Sequence, residues 1–165
     1  MGESNVVIYF RSESELADYA GETGRRLAAA KRWPLLIGLR GELGAGKTTF
    51  VRALLRGLGY EARVPSPTYT LLEHYVVGEL VVVHLDLYRL ASEVELENLG
   101  LRDWLEAPAT WVLTEWPDRA PGLARRCDLL LTLEEVEPGT RRLIVLAGTP
   151  VGIEALRDSR NERLN

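Results

Sequence analysis

Residues Gly41 to Thr48 read Gly-Glu-Leu-Gly-Ala-Gly-Lys-Thr, between the apolar run Leu35 to Leu39 and the amphipathic stretch Lys47 to Leu58. This matches GxxxxGK[ST], the phosphate loop, at every specified position. Glycines let the chain curl until successive amide N–H groups point at phosphate oxygens. A helix starting at Lys47 adds its positive dipole end to the same anion. The pattern arises by chance in roughly one chain of this length per hundred. Here it also has the strand before it and the helix after it that its mechanism needs. Gly41, Gly44, Ala45, Gly46, Lys47 and Thr48 are therefore candidate nucleotide contacts. Lys47 is the mobile cation for the β- and γ-phosphates, and the Thr48 hydroxyl is a Mg²⁺ ligand.

Outward from the loop, the chain alternates strand and helix signals. Val6 to Phe10 is a short strand, and Ser12-x-x-Glu15 is a capping box opening a helix. Leu16, Ala20, Thr23 and Leu27 recur at helical spacing and predict its core face. Phe50, Val51, Leu54, Leu55 and Leu58 do the same for the second helix, which Gly59 stops. Pro65-Ser66-Pro67 is a stiff extended loop, because a residue before proline is pushed out of the α region. Tyr69 to Val77 and Leu80 to Tyr88 read as strands joined at Gly78, and Ser92 with Glu95 starts a helical stretch running to about Leu105. Thr110 to Glu115, Asp128 to Leu133 and Leu143 to Ala147 complete the strands. The expected fold is α/β, a P-loop NTPase-like layered fold with a mostly parallel central sheet and flanking helices. One domain is expected over residues 1–150, followed by a polar tail over 151–165 whose last dozen residues fray.

A phosphate loop needs a carboxylate at the end of a neighbouring strand to hold or order Mg²⁺. Asp86 ends one apolar run and Glu115 another, and spacing alone does not rank them. Strand period puts His84, Asp86 and Tyr88 on one face, with Leu85 and Leu87 on the other. His84 reads as a hydrogen-bonded structural residue, and Arg89 as either a phosphate cation or a surface ion pair.

Composition narrows the class. The 165 residues are 46% hydrophobic, enough for one core, with a net charge of −4. That balance argues against gripping nucleic acid directly, which takes a clustered basic surface. Basic pairs such as Arg141-Arg142 read as solvated. No apolar run approaches the roughly 20 residues of a membrane span, and the start lacks a secretory pattern, so a cytoplasmic location is expected. The single Cys127 excludes an internal disulfide and reads as a quiet thiol.

LRGELGAGKTTFVRALLRGLG, then SPTYTLLEHY, HLDLYRL and TEWP, in that order over about residues 35 to 117, resemble the bacterial TsaE family, once called YjeE. The resemblance implies a small Mg²⁺-dependent ATPase supporting N6-threonylcarbamoyladenosine formation in tRNA. It implies TsaB and TsaD proteins as partners, with tRNA met only through their complex. It assigns Gly44 to Thr49 to ATP, and Thr48 and Glu115 to Mg²⁺. It makes Asp86 an acid near the γ-phosphate, ordering the attacking water, and puts Ser66 and Thr68 in a mobile loop comparable with GTPase switches. A Glu-Thr pair expected near the adenine is replaced here by Glu15-Leu16. Two other readings share the phosphate loop. A small-molecule kinase needs an arginine-bearing lid, and no arginine-rich insertion follows Glu115. A GTPase switch needs an Asn-Lys-x-Asp signature, which the chain lacks.

Overall fold

A computed structural model describes residues 5–160. The strands are β1 (Asn5–Phe10), β2 (Leu35–Arg40), β3 (Leu72–Val77), β4 (Leu80–Asp86), β5 (Thr110–Glu115), β6 (Leu129–Glu137) and β7 (Thr140–Ala147). The helices are α1 (Glu13–Ala29), α2 (Lys47–Gly57), α3 (Val94–Asn98), α4 (Leu101–Glu106), α5 (Pro121–Ala124) and α6 (Pro150–Arg160).

All seven strands join one sheet in the order β1-β7-β6-β2-β5-β4-β3. The middle is parallel: β2 pairs with β5 and β6, and β4 pairs with β5. Antiparallel pairs close both sides, β3 on β4 at one edge, β6 on β7 and β7 on β1 at the other. The sheet is thus mixed, with its parallel part where the continuous apolar runs lie. Strands covered on both faces need such runs rather than alternation. In β2, Leu35 to Leu39 are all buried.

Helices cover both faces. On one, Leu16, Ala20 and Leu27 of α1 and Phe50, Val51, Leu54 and Leu55 of α2 pack on Leu35, Ile37 and Leu39. On the other, Leu36, Val83, Leu85 and Val112 meet Leu96, Leu101 and Leu123 from α3, α4 and α5. Thr23 and Leu58, expected on the core faces, are only half-buried. Ser12 caps α1 by accepting from the Glu15 amide at 3.1 Å, while Glu15 reaches back one residue further than expected, to the Arg11 amide at 2.7 Å.

The short helix α5 was not expected, β4 ends at Asp86 rather than Tyr88, β6 and β7 run further into their shared turn than expected, and three other elements differ more. The strand expected from Tyr69 starts at Leu72, because residues 68–70 turn and Leu71 adopts φ 65°. The helix expected from Ser92 is two short helices separated at Leu99-Gly100. The stretch expected as a polar tail carries α6, with Gly152, Ala155, Leu156 and Ser159 buried. Those positions recur at helical spacing and form a narrow stripe among charged residues. Arg32 binds Glu154 and Asp158 of α6, and Arg26 donates to the Ser159 carbonyl at 2.9 Å. Residues 161–165 of the expected tail lie outside the described residues.

Candidate functional site

The carboxyl ends of β2, β4 and β5 lie side by side, where ligands bind in open α/β sheets. The loop leaving β2 turns into α2 through Gly46, whose φ of 112° is left-handed backbone that side chains rarely adopt. At the loop's start, a Cβ on Gly41 would lie 2.5 Å from the Leu133 carbonyl oxygen, so only glycine fits there. The tight curl that phosphate cradling requires is therefore built in by these two residues.

A cleft of about 530 Å³ opens above the loop. Gly44, Gly46, Lys47, Thr48 and Thr49 line its floor. Ser66, Thr68, Asp86 and Glu115 line its wall. Gly41 and Ala45, also expected among the nucleotide contacts, line an adjoining hollow with Thr132 and Leu133.

Strand register explains how the two acids meet the loop. Asp86 pairs with Glu115, and Glu115 pairs with Leu39 of β2. Apolar Val82, Trp111 and Leu113 share that sheet face and pack under α2. Beyond them the same face becomes polar with His84, Asp86 and Glu115, all buried. Glu115 accepts the Thr48 hydroxyl at 3.0 and 3.1 Å and bonds His84 Nε2 at 2.7 Å. The other His84 ring nitrogen, Nδ1, is buried with no partner among the described residues. Asp86 accepts the Thr68 hydroxyl at 3.1 Å and the Tyr88 amide at 3.0 Å, and Ser66 lies 2.9 Å from Thr68 Oγ1.

Lys47 donates to the carbonyls of Gly41 at 2.5 Å and Glu42 at 2.9 Å, and its ammonium sits 4.3 Å from the Trp116 ring centre. Burial pushes it below the ordinary lysine range, and the charges of Glu115, Asp86 and Glu42 oppose that shift. A partly desolvated cation near two carboxylates is poised to exchange partners for a strong anion. Thr48 and Glu115 supply hard oxygen donors of the kind Mg²⁺ takes, alongside ligand oxygens. Among the described residues no three His, Cys, Asp or Glu gather into a metal cluster, so an all-protein metal cage is not what this site offers.

Several cleft residues were not singled out by sequence. Trp116 enters by a left-handed turn, φ 58°, directly after Glu115, and stacks near Tyr88 with centroids 5.1 Å apart. Arg141 comes from β7, far along the chain. Glu13 stands at the cleft, 3.5 Å from the Thr49 hydroxyl, whereas Leu16 of the Glu15-Leu16 pair is fully buried in the core. Arg89, which the sequence offered as either a phosphate cation or a surface ion pair, also lines the cleft, with its guanidinium 4.6 Å from the Tyr69 ring centre. None of the described helices is long and apolar enough to cross a membrane.

The solved structure of YdiB from Bacillus subtilis aligns with a TM-score of 0.76 over 96% of each chain at 21% identity, a likeness of fold. The tRNA threonylcarbamoyladenosine biosynthesis protein TsaE of Haemophilus influenzae is 38% identical over 118 residues, covering 72% of this chain and 73% of that one. Its namesake from Treponema pallidum is 33% identical over 135 residues, 82% of this chain and 96% of its own. The model of the family described as threonylcarbamoyl adenosine biosynthesis protein TsaE matches residues 11–143. A match of that extent, with relatives above 30% identity, means that this chain belongs to the TsaE family.

Proposed function

We propose that this protein is a weakly hydrolysing, Mg²⁺-dependent ATPase that supports N6-threonylcarbamoyladenosine modification of tRNA through a complex with TsaB and TsaD proteins. The carrying observation is the convergence of Lys47, Thr48, Glu115 and Asp86 on one cleft above a glycine-curled loop at a helix N-terminus. Family membership supports the pathway; the chemistry of the cleft supports the nucleotide.

In this reading the loop amides and the start of α2 bind the phosphates. Lys47 leaves its two loop carbonyls and neutralises charge on the γ-phosphate. Thr48 and Glu115 would hold Mg²⁺, which neutralises charge on the β- and γ-oxygens. Asp86 orients the attacking water for in-line displacement and accepts its proton. Its bond to Thr68 links that carboxylate to the Pro65–Pro67 loop, so a change at the γ-phosphate reaches a surface a partner can read. With a net charge of −4, the protein meets tRNA through its partners rather than alone.

The test is a pull-down of the purified chain with TsaB and TsaD proteins, with ATP and without nucleotide, beside a direct ATP-binding titration. ATP-dependent capture is the expected result. Capture indifferent to ATP would remove the switching part of the reading, and no ATP binding at all would remove the ATPase.

A further inference from the structure

We propose that Arg141 is a positioning residue for the phosphate loop, latching the Ala45–Gly46 peptide so that the Gly46 N–H faces the cleft. The inference rests on the cleft binding ATP, and adds a residue from the sheet's antiparallel side to that machinery.

Arg141 sits in β7, opposite Phe10 of β1 and Glu135 of β6. β7 lies on the opposite side of β2 from β5 and β4, so its side chain reaches the loop from the side away from the strands of Glu115 and Asp86. Its Nε donates to the Ala45 carbonyl at 2.9 Å, and a terminal nitrogen donates to the Gly44 carbonyl at 3.4 Å. It also packs against the bare Cα of Gly46: a Cβ there would lie 3.4 Å from Nε and 3.6 Å from Cδ. One arginine thus touches three successive loop residues.

A trans peptide points its C=O and the following N–H in opposite directions. Fixing the Ala45 carbonyl on the guanidinium therefore fixes the Gly46 amide on the other side. This matters because the peptide ends on Gly46, whose φ of 112° only glycine adopts readily and which leaves the peptide plane free to rotate. Rotated the other way, the same peptide would present a carbonyl dipole to phosphate. The bond to Gly44 is longer and weaker, and the Gly44–Ala45 peptide is held independently by the Ala45 amide's donation to the Glu42 carbonyl at 3.1 Å.

Arg141→Met keeps much of the aliphatic stem and removes both donors and the charge. It is expected to raise the Kd for ATP about tenfold, the scale of one charge-assisted hydrogen bond. The hydrolysis rate at saturating ATP should change far less. In the protein without nucleotide, the Gly46 amide should shift in its NMR spectrum and lose protection from hydrogen exchange. Arg141→Lys, which can still reach the Ala45 carbonyl, should recover most of the affinity. Arg141→Gln serves as a second variant should the methionine perturb folding, and an intermediate Kd is expected of it. Wild-type affinity in both Met and Gln variants, with an unmoved Gly46 amide, would overturn the latch while leaving the ATPase reading intact. Failure of the unaltered protein to bind ATP would overturn both.

Discussion

Gly57→Ala tests the packing that holds the phosphate-loop helix in place. Helix α2 begins at Lys47, so its seat on α1 sets where the loop stands. The two helices meet through Gly21 and Gly24 of α1 and Gly57 of α2. A methyl on Gly57 would lie 2.2 Å from the Gly21 carbonyl oxygen and 2.5 Å from its Cα. Carbon needs roughly 3.5 Å, so the helices must part locally by about 1 Å. Both obstructing atoms are backbone, which cannot rotate aside. Overpacking of this kind costs about 1–3 kcal/mol. Alanine's better helix propensity returns up to about 1 kcal/mol. A backbone overlap this deep puts the cost at the upper end, about 2–3 kcal/mol, so even with that full return the net loss is about 1–2 kcal/mol, equivalent to a Tm drop of roughly 2–8 °C at this size.

Differential scanning calorimetry of the purified variant measures that drop. The matched control is Gly122→Ala, where the methyl meets only the Glu93 carboxylate, at 3.0 Å for the nearest oxygen. A side-chain end can swing away, so the control should stay within about 0.5 kcal/mol of the parent. A Gly57→Ala protein as stable as the parent, or more stable, would refute the close-approach argument. So would a loss equal to the control's.

Other outcomes follow from the cleft and core. Asp86→Asn should leave the ATP Kd within about threefold while slowing hydrolysis about a hundredfold or more, the usual share of a positioned base; equal losses in both would deny Asp86 that role. Glu115→Gln should raise the Mg²⁺ needed for half-maximal nucleotide binding by roughly tenfold, and an unchanged requirement would take Glu115 out of the metal's reach. Burial, the largest cause, pushes the Cys127 thiol from about 9 up to about 12, aided by the charge of Asp128. The folded thiol then stays protonated while the unfolded one ionises, so its contribution to stability is complete below about pH 9 and falls as pH rises. At pH 10 the loss is about 1.4 kcal/mol. Urea denaturation at pH 7 and 10 should show that slope in the parent and less of it in Cys127→Ala; identical slopes would contradict the assignment.

Local signals carried much of the fold. The apolar run Leu35–Leu39 named a strand buried on both faces, and glycine, lysine and threonine spacing named the loop after it, because both depend on neighbours in sequence. The ranking of Asp86 and Glu115 was not legible, since it depends on which strand lies beside β2, a long-range pairing. Arg141 was read as one of a solvated pair for the same reason: its partners are 96 and 97 positions away. Helix α6 was missed because its buried stripe is made of Gly152, Ala155 and Ser159 as well as Leu156. Small residues pack tightly but carry little hydrophobic signal. Leu71 has no turn residue to announce its left-handed backbone; its amide instead donates to Pro67 at 2.8 Å and its carbonyl accepts from Asp86 at 3.0 Å.

Strand order also divides the labour between the two acids on the proposed reading. β5 lies between β2 and β4, and adjacent strands are about 4.8 Å apart. Glu115 is therefore one strand from the loop-bearing β2, within reach of Thr48, while Asp86 is two strands away and meets Thr68 instead. Each acid is tied to a different threonine, Glu115 to Thr48 in the first turn of α2 and Asp86 to Thr68 in the loop before β3. A cation held by Thr48 and Glu115 is anchored to the most buried strands of the sheet and has little room to move. The carboxylate of Asp86 shares its bonds with a loop bounded by Pro65 and Pro67, whose Ser66 is exposed. Chemistry at Asp86 and motion at residues 65–68 are thus joined by one hydrogen bond, whereas the Thr48 and Glu115 side chains meet the strand of Asp86 through His84, which bonds Glu115. A switch that alters its outer loop without loosening its phosphate grip needs that separation.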